Sequence, residues 1–136
     1  SNFFNAATNK NKNPKGQVLF MLRKGSHGEG TWAPPGGKLE FGEEIEECAK
    51  RETQEEANLN IHAIRILGIT NDIFPGETHY ITIQTFAKSW SGVAKIMEPN
   101  KCTEIGWFNI NNLPKPLFMT VENLIKTGQI EKLQNA

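Results

Sequence analysis

At 136 residues, 38% of them hydrophobic, the chain is long enough for one domain around one core and short for two. Fifteen basic and fifteen acidic residues cancel to a formal net charge of zero. That excludes a global pull onto nucleic acid or an anionic membrane, so any polyanion is recognised locally.

Residues 1–16 are polar, with five asparagines and Phe3-Phe4 as a hydrophobic anchor. A loosely ordered N-terminal segment is expected there, with Ser1-Asn2 reading as a scar left by expression, and a single domain is expected over 17–136. Gln17 to Arg23 is an apolar run that reads as a buried strand, and Lys24 to Gly30 as the loop behind it. Trp32 leads into Pro34-Pro35-Gly36-Gly37, a rigid turn, and a helix is expected from about Glu43. Ile61 to Phe74 is rich in isoleucine and breaks at Pro75-Gly76. His79 to Trp90 sets Ile81 and Ile83 against Thr82 and Gln84, the alternation of a half-exposed strand. Glu104 to Ile110 gives a short strand with Trp107 and Phe108. Pro116 to Lys126 then places Leu117, Thr120, Val121, Leu124 and Ile125 at helical spacing, with an end at Gly128. The order strand, helix, strands, helix predicts an α/β domain with helices packed on a mixed sheet. The longest apolar runs, such as Val18 to Leu22, are far shorter than a membrane span, and nothing resembles a secretory signal, so the expected location is cytoplasmic. Cys48 in the helix and Cys102 before a strand suit reduced, structural thiols, and neither has a partner at zinc-ligand spacing.

Charge concentrates in the first helix, where Glu43 to Glu56 holds seven of the fifteen acidic residues. At about 100° per residue, Glu52 and Glu56 stack one above the other with Glu55 about 60° to their side, so three carboxylates share a face. Glu43, Glu44, Glu46 and Glu47 lie in the first turns, where the helix dipole favours anions, whereas the other three crowd the last turn, where it opposes them. Like charges at i,i+4 cost a helix roughly 0.2–0.5 kcal/mol per pair, and Arg51 is the near basic residue able to offset them. A bound divalent ion resolves the conflict. An all-oxygen set suits Mg²⁺ or Mn²⁺, with a phosphate-bearing substrate supplying further ligands. The plain alternative is a solvated acidic face.

Gly37, five residues, Glu43, seven residues and then Arg51-Glu52-Thr53-Gln54-Glu55-Glu56-Ala57-Asn58-Leu59 resembles the Nudix box of the Nudix hydrolases. Its fixed spacings over 23 residues make it far more specific than a lone glycine motif. Thr53 stands in place of the usual aliphatic residue, and Asn58 in place of the glycine after the helix, asparagine being the next-best left-handed cap. Neither departure removes a ligand. Beyond the box, Arg23-Lys24-Gly25-Ser26, the Trp32 to Glu43 stretch, His79-Tyr80-Ile81-Thr82, Glu98-Pro99, Lys101-Cys102 and Leu113 to Phe118 resemble the small cytosolic nucleotide diphosphatases of plants and animals, a MutT-like branch. The resemblance covers most of residues 17–128. It implies the Nudix fold, a mixed β-sheet sandwiched between helices (α/β/α), and a homodimer. Members carry a further strand ahead of Val18, to which the asparagine-rich start is a poor match.

The resemblance also implies that Glu52 and Glu56 hold an essential magnesium ion, with Mn²⁺ as substitute. Glu55 binds a further ion or helps to activate water, and the backbone carbonyl of Gly36 joins the ligands, since a glycine lets the backbone come close. Arg51 either orients a neighbouring carboxylate through its planar fork or forms a surface ion pair. Glu55, Glu52 and Arg51 are thus the expected catalytic set. For substrate, Arg23 beside Lys24 contacts phosphate or is a solvated charge, Thr82 bonds a base or is an ordinary strand threonine, and Phe118 walls a nucleobase or anchors a helix. Trp32 and Trp107 are of a type more often found in cores than as base-stacking platforms, and the core is expected for Trp107. His27 and His79 have no carboxylate or serine at diagnostic spacing, which leaves a Ser-His-Asp mechanism unsupported. The function so implied is a magnesium-dependent pyrophosphohydrolase cleaving normal or oxidised nucleoside triphosphates to the monophosphate and pyrophosphate. Its partner is a small-molecule nucleotide, not a nucleic acid polymer or a membrane. The alternatives are a hydrolase of another diphosphate (a dinucleotide, nucleotide sugar or prenyl diphosphate) and a binding module without catalysis.

Overall fold

The apolar run at Gln17 forms a strand as expected, but its partners come from parts of the chain that local pattern does not mark. The computed structural model describes residues 2–7, 16–25, 27–76 and 78–134. Their elements, in chain order, are β1 (Asn2–Ala7), β2 (Gln17–Arg23), β3 (Trp32–Ala33), β4 (Gly36–Lys38), α1 (Ile45–Ala57), β5 (Asn60–Phe74), β6 (Thr78–Ser91), β7 (Cys102–Asn109), α2 (Met119–Lys126) and α3 (Glu131–Gln134). The expected mixed sheet is present in two parts. One has the order β4-β1-β6-β5 and the other β3-β2-β7. β1 runs parallel to β6 and antiparallel to β4, while β5–β6 and β2–β7 are antiparallel pairs.

The expectation of a loose start gives way at Asn2–Ala7, which forms a strand inside the larger sheet. Phe4 lies opposite Gly36, Phe3 opposite Gly37 and Asn2 opposite Lys38. The predicted rigid turn is therefore partly a strand, held in place by the start of the chain. Most of the rest of the segment 1–16 lies outside the described residues.

Two clusters form the main core. One joins Leu19 and Met21 of β2 to Ala49 and Ala57 of α1 and to Ile61 and Ile64 of β5. The other joins Val18 and Phe20 to Leu67, Phe86, Val121, Leu124 and Leu133. Adjacent β2 residues thus alternate between the cluster under α1 and the cluster under α2, as a strand's period of two requires. That is how a continuous apolar run serves both halves of the molecule. Trp107 stacks on Trp90 at 4.9 Å, and Trp32 meets Phe108 edge-on at 5.1 Å, both at the border of the core. Cys48 and Cys102 are free and buried. Among the described residues, no helix is long and apolar enough to cross a membrane.

The second long helix begins at Met119, three residues later than the sequence suggests. Residues 116–118 are occupied elsewhere. Trp32 N–H donates to Pro116 O and Phe118 N–H to Trp32 O, both at 2.9 Å, so this stretch lies beside β3 before the helix begins.

Removing residues 1–7 would leave β4 and β6 unpaired on facing edges. Loss of more than about 3 kcal/mol is expected, on the order of 10 °C in Tm, with amide protection lost first over Thr82–Ala87. Thermal unfolding and hydrogen exchange of the shortened chain check this, and an unchanged Tm would show that β1 contributes nothing to the sheet.

Candidate active site

α1 starts after Glu44, whose backbone is extended, and carries Glu46 and Glu47 in its first turn, where the dipole accepts them. It stops at Asn58 in the left-handed conformation, with φ 61°, and the Asn58 N–H donates to Gln54 O. Cys48, Ala49, Glu52, Thr53 and Ala57 are its buried residues. Two of these are polar, for different reasons. The Thr53 hydroxyl donates to Ala49 O at 2.8 Å, which explains how it serves where an aliphatic residue is usual. Glu52 has no such return to its own helix, and its carboxylate faces the strand β4.

There the two glycines matter. A Cβ on Gly37 would stand 2.3 Å from the Glu52 carboxyl group, so the absence of a side chain makes the space that Glu52 fills. Gly36 N–H donates to Glu56 Oε2 at 2.8 Å, one helical turn further on. Burial raises both carboxyl groups above their ordinary range. Glu56 is pushed up to about 8, first by burial and then by the charge of Glu52, against the Gly36 hydrogen bond that favours its anion. Glu52 is raised by burial, with Arg51 opposing.

Arg51 acts on the near side of this group. Its Nε and Nη2 donate to Glu43 Oε2 and Oε1 at 2.7 and 3.0 Å, a two-point grip. Nη1 lies 3.0 Å from Glu52 Oε1, 3.3 Å from Glu55 Oε2 and 3.6 Å from Glu40 Oε1, and Nη2 also donates to Lys38 O at 3.0 Å. The Glu43 carboxyl is held down to about 2, chiefly by its hydrogen bond to Arg51. Arg51 therefore ties the loop before α1 to the helix and sets the Glu52 side chain. Glu56 does not share this cation.

A cavity of about 390 Å³ opens beside Glu56. Glu56, Gly36 and Glu98 line one part, and Arg23, Lys24 and Lys101 bring three cationic side chains to it. Lys24 N–H donates to Lys101 O at 2.8 Å, which fixes the end of β2 against the start of β7. Glu98 lies 3.6 Å from the Lys101 ammonium and raises the Glu56 pKa further. Arg23 is largely removed from solvent. Its Nε donates to His27 O at 3.0 Å, and its guanidinium stands 4.1 Å from the centre of the Phe118 ring. Burial lowers its pKa, with Glu56 opposing. His27, Phe74, Tyr80 and Phe118 form an aromatic group next to it, with the Phe74 and Phe118 rings 5.5 Å apart.

The structure thus brings together Glu52, Glu56, Gly36 and Arg51, with Arg23 reaching the same cavity. It does not bring in the others. Glu55 meets Arg51 at 3.3 Å with its side chain 54% exposed and, like Glu52 and Arg51 themselves, does not line the cavity. Phe118 is 3% exposed, anchors the start of α2 and carries Arg23 on its face. Thr82 is fully buried and donates to Asp72. Glu98, Lys101 and His27 were not picked out as site residues from sequence. For Glu98 and Lys101 the signal is the resemblance of Glu98-Pro99 and Lys101-Cys102 to the MutT-like branch, and for His27 the sequence carries none.

The donor set fits a divalent cation. Glu52 and Glu56 present carboxyl oxygens one turn apart, both raised by burial and Glu56 also by the charge of Glu52, with a glycine cradle that a Cβ would fill. Among the described residues, no three Asp, Glu, His or Cys side chains already converge on a single ion position. Glu56 accepts from Gly36 N–H through Oε2 alone, while Glu55 Oε2 accepts from Arg51.

Residues 7–127 match the NUDIX domain. The oxidized purine nucleoside triphosphate hydrolase of Danio rerio is 34% identical over 102 residues, which cover 73% of this chain and 62% of that protein. The ADP-ribose pyrophosphatase of Methanocaldococcus jannaschii is 35% identical over 104 residues, covering 75% and 60%. The chain therefore spans about three fifths of the length of these two relatives. A MutT NUDIX hydrolase from Burkholderia pseudomallei superposes with a TM-score of 0.82 at 25% identity, over 95% of both chains.

Two outcomes follow from this geometry. Because Glu56 takes up its proton near pH 8 in the folded chain and near 4.5 when unfolded, the folded form holds more protons in between. Its contribution to stability is complete below about 4.5 and is lost as pH rises through 8. Glu52 acts in the same direction, while Glu43 titrates below this window. The Tm of metal-free protein should fall from pH 5 to 8, Glu56→Gln should flatten that slope, and the Tm gain from added Mg²⁺ should grow over the same range. A flat Tm profile for the unaltered protein would contradict the burial of Glu56. Separately, Gly37→Ala forces the Glu52 carboxyl out of its cradle and should lower kcat/KM by at least about tenfold in a chain that still folds, as circular dichroism and steady-state kinetics would show.

Proposed function

This chain belongs to the Nudix hydrolases and has their fold, and from that premise we propose that it is a magnesium-dependent pyrophosphohydrolase of nucleoside triphosphates, normal or oxidised, releasing the monophosphate and pyrophosphate. The observation that carries this reading is the cavity that gathers the carboxyl groups of Glu56 and Glu98 with the cationic side chains of Arg23, Lys24 and Lys101. Acidic groups that suit a cation and basic groups that suit an anion, lining one cavity, are the two halves of a metal–polyphosphate site.

Family members use a divalent metal. Here Glu52, Glu56 and the Gly36 carbonyl would hold it, and magnesium is the ion that an all-oxygen set with phosphate co-ligands favours. When bound, such an ion supplies neutralisation of phosphate charge and a more acidic water. The chain's own groups do the rest. Arg23, Lys24 and Lys101 grip the phosphate oxygens and fix the direction of attack. Arg51 keeps Glu52 aimed by holding it from the side away from the substrate. Glu98, in the cavity wall, is better placed than Glu55 to accept the proton of the attacking water. Glu55 keeps a supporting role through Arg51, and a further ion at Glu55 would require it to leave that partner.

The choice of a triphosphate rests on the Danio rerio relative, and the Methanocaldococcus jannaschii relative favours a second reading, a diphosphate such as a nucleotide sugar. A homodimer accords with Ile69, Ile73 and Ile81, more than half exposed on one face of the β5–β6 hairpin. A cytoplasmic location accords with two free thiols.

The test is a panel of normal and oxidised nucleoside triphosphates, ADP-ribose and dinucleotides, with products separated by chromatography. Monophosphate and pyrophosphate are expected, with no turnover after chelation. Orthophosphate and a nucleoside diphosphate as sole products would reject the proposal. Glu56→Gln should lose at least about 10- to 100-fold in kcat/KM, and full activity at saturating magnesium would remove Glu56 from the metal site.

A further inference from the structure

Behind the aromatic group lies a buried carboxylate that the chemistry above does not use. Asp72 of β5 is fully buried. Its Oδ2 accepts from the Thr82 hydroxyl of β6 and from the Thr70 hydroxyl at 3.0 Å, and its Oδ1 accepts from Asn123 Nδ2 of α2 at 2.8 Å. All three donors are uncharged. A second tie lies alongside, where Gln84 Nε2 donates to Thr70 Oγ1 and to Thr120 O, each at 3.2 Å. Burying a carboxylate among neutral donors is costly unless every acceptor is used, and an apolar residue would pack the same space more cheaply. What the carboxylate adds is direction. It accepts from two strands and a helix at once, so it fixes where α2 sits on β5 and β6.

That position matters to the cavity. Asp72 is two residues from Phe74 and lies opposite Tyr80 in the β5–β6 ladder. Asn123 is five residues beyond Phe118, on the helix that Phe118 begins. The Asp72–Asn123 bond, beside which Asn123 Nδ2 also donates to Asn71 O at 3.3 Å, therefore ties the Phe74 end of β5 to the helix that Phe118 begins. Phe118 in turn supports the Arg23 guanidinium at 4.1 Å, and Arg23 lines the cavity.

We propose that Asp72 is a positioning residue for nucleotide binding: by holding Asn123 and Thr82 together it fixes Phe118, and through the Phe118 ring the Arg23 guanidinium, at the wall of the cavity. The substrate class it serves is the nucleotide of the reading above, on which this inference rests. The effect falls on binding, because Asp72 touches none of Glu52, Glu56 or Gly36.

The experiment uses Asn123→Asp, which sets two carboxylates face to face, and the exchanged pair Asp72→Asn with Asn123→Asp, which restores one carboxylate and one amide. Hydrogen exchange is read first on metal-free, substrate-free protein. Asn123→Asp should speed exchange of the Trp32 and Phe118 amides about tenfold or more, leave α1 amides as they were, and be reversed in the exchanged pair. Kinetics on a nucleoside triphosphate should then show KM raised about tenfold with kcat and the magnesium dependence kept, again reversed in the pair. Unchanged exchange at Trp32 and Phe118, acceleration shared equally by α1, a fall in kcat alone, or no recovery in the pair would each overturn the proposal. If Asn123→Asp does not fold, Asn123→Ala carries the same readouts for the helix arm. Should the unaltered chain cleave no nucleoside triphosphate, the activity reading fails, and the exchange data still decide whether Asp72 positions Phe118.

Discussion

Two carboxylates are buried one helical turn apart against the backbone of two glycines, and a single arginine reaches only one of them. Glu52 has Arg51 at 3.0 Å, while Glu56 has the Gly36 N–H and, across the cavity, the weaker help of Arg23. In the absence of further charge, burial raises the pKa of both. Much of the rest of the molecule follows from holding this pair in place. The glycines admit the carboxyl groups, β1 pairs with those glycines, and the end of α1 is fixed by a left-handed Asn58. A structure that selected for stability alone would replace such a pair with apolar side chains. Its retention is intelligible if a cation completes it.

Arg51 solves a different problem from the one its proximity suggests. Its strongest contacts are with Glu43, not with the last-turn glutamates, and the two-point grip closes the loop 38–43 over the helix. Glu40, Glu52 and Glu55 share what remains of its charge. The acidic run thus divides three ways: Glu43, Glu52 and Glu55 meet Arg51, Glu44, Glu46 and Glu47 lie at the helix N-terminus where the dipole favours anions, and Glu56 is left to face the cavity. This division explains why seven acidic residues can sit in fourteen positions without destroying the helix.

Features carried by short spacing were legible in the sequence. The stacking of Glu52 on Glu56, the cap at Asn58, the buried strand at Val18 and the breaks at Pro75-Gly76 and Gly128 depend on neighbours within a few residues. Elements set by distant partners were not. β1 carries no long apolar run, and its place comes from backbone pairing with β4 on one side and β6 on the other. In β5 the buried residues fall at Ile61, Ile64, Leu67 and Thr70, a step of three, and only from Thr70 through Asp72 to Phe74 at a step of two. Ala63 in a left-handed conformation and the register shift between Ile66 and Gly68 displace the alternation, so a period of two cannot be read there. Phe118 and Thr82 were left with two readings each because residue type does not fix environment. In the structure both side chains are buried, Phe118 beneath Arg23 and Thr82 on Asp72.

The site therefore has two origins in the chain. The carboxylates and their arginine come from one continuous stretch whose spacing is dictated by a helix, and such a stretch is recognisable wherever it occurs. The other cavity walls come from the end of β2 and the loop before β7, with the start of α2 behind them through Phe118 beneath Arg23. They are brought together by the Lys24–Lys101 and Trp32–Phe118 backbone bonds. No short spacing rule governs these segments, so they are free to change without disturbing the carboxylates. Substrate choice must be sought in that assembled wall, where a one-residue change in how α2 packs on β5 moves Phe118 and Arg23 together.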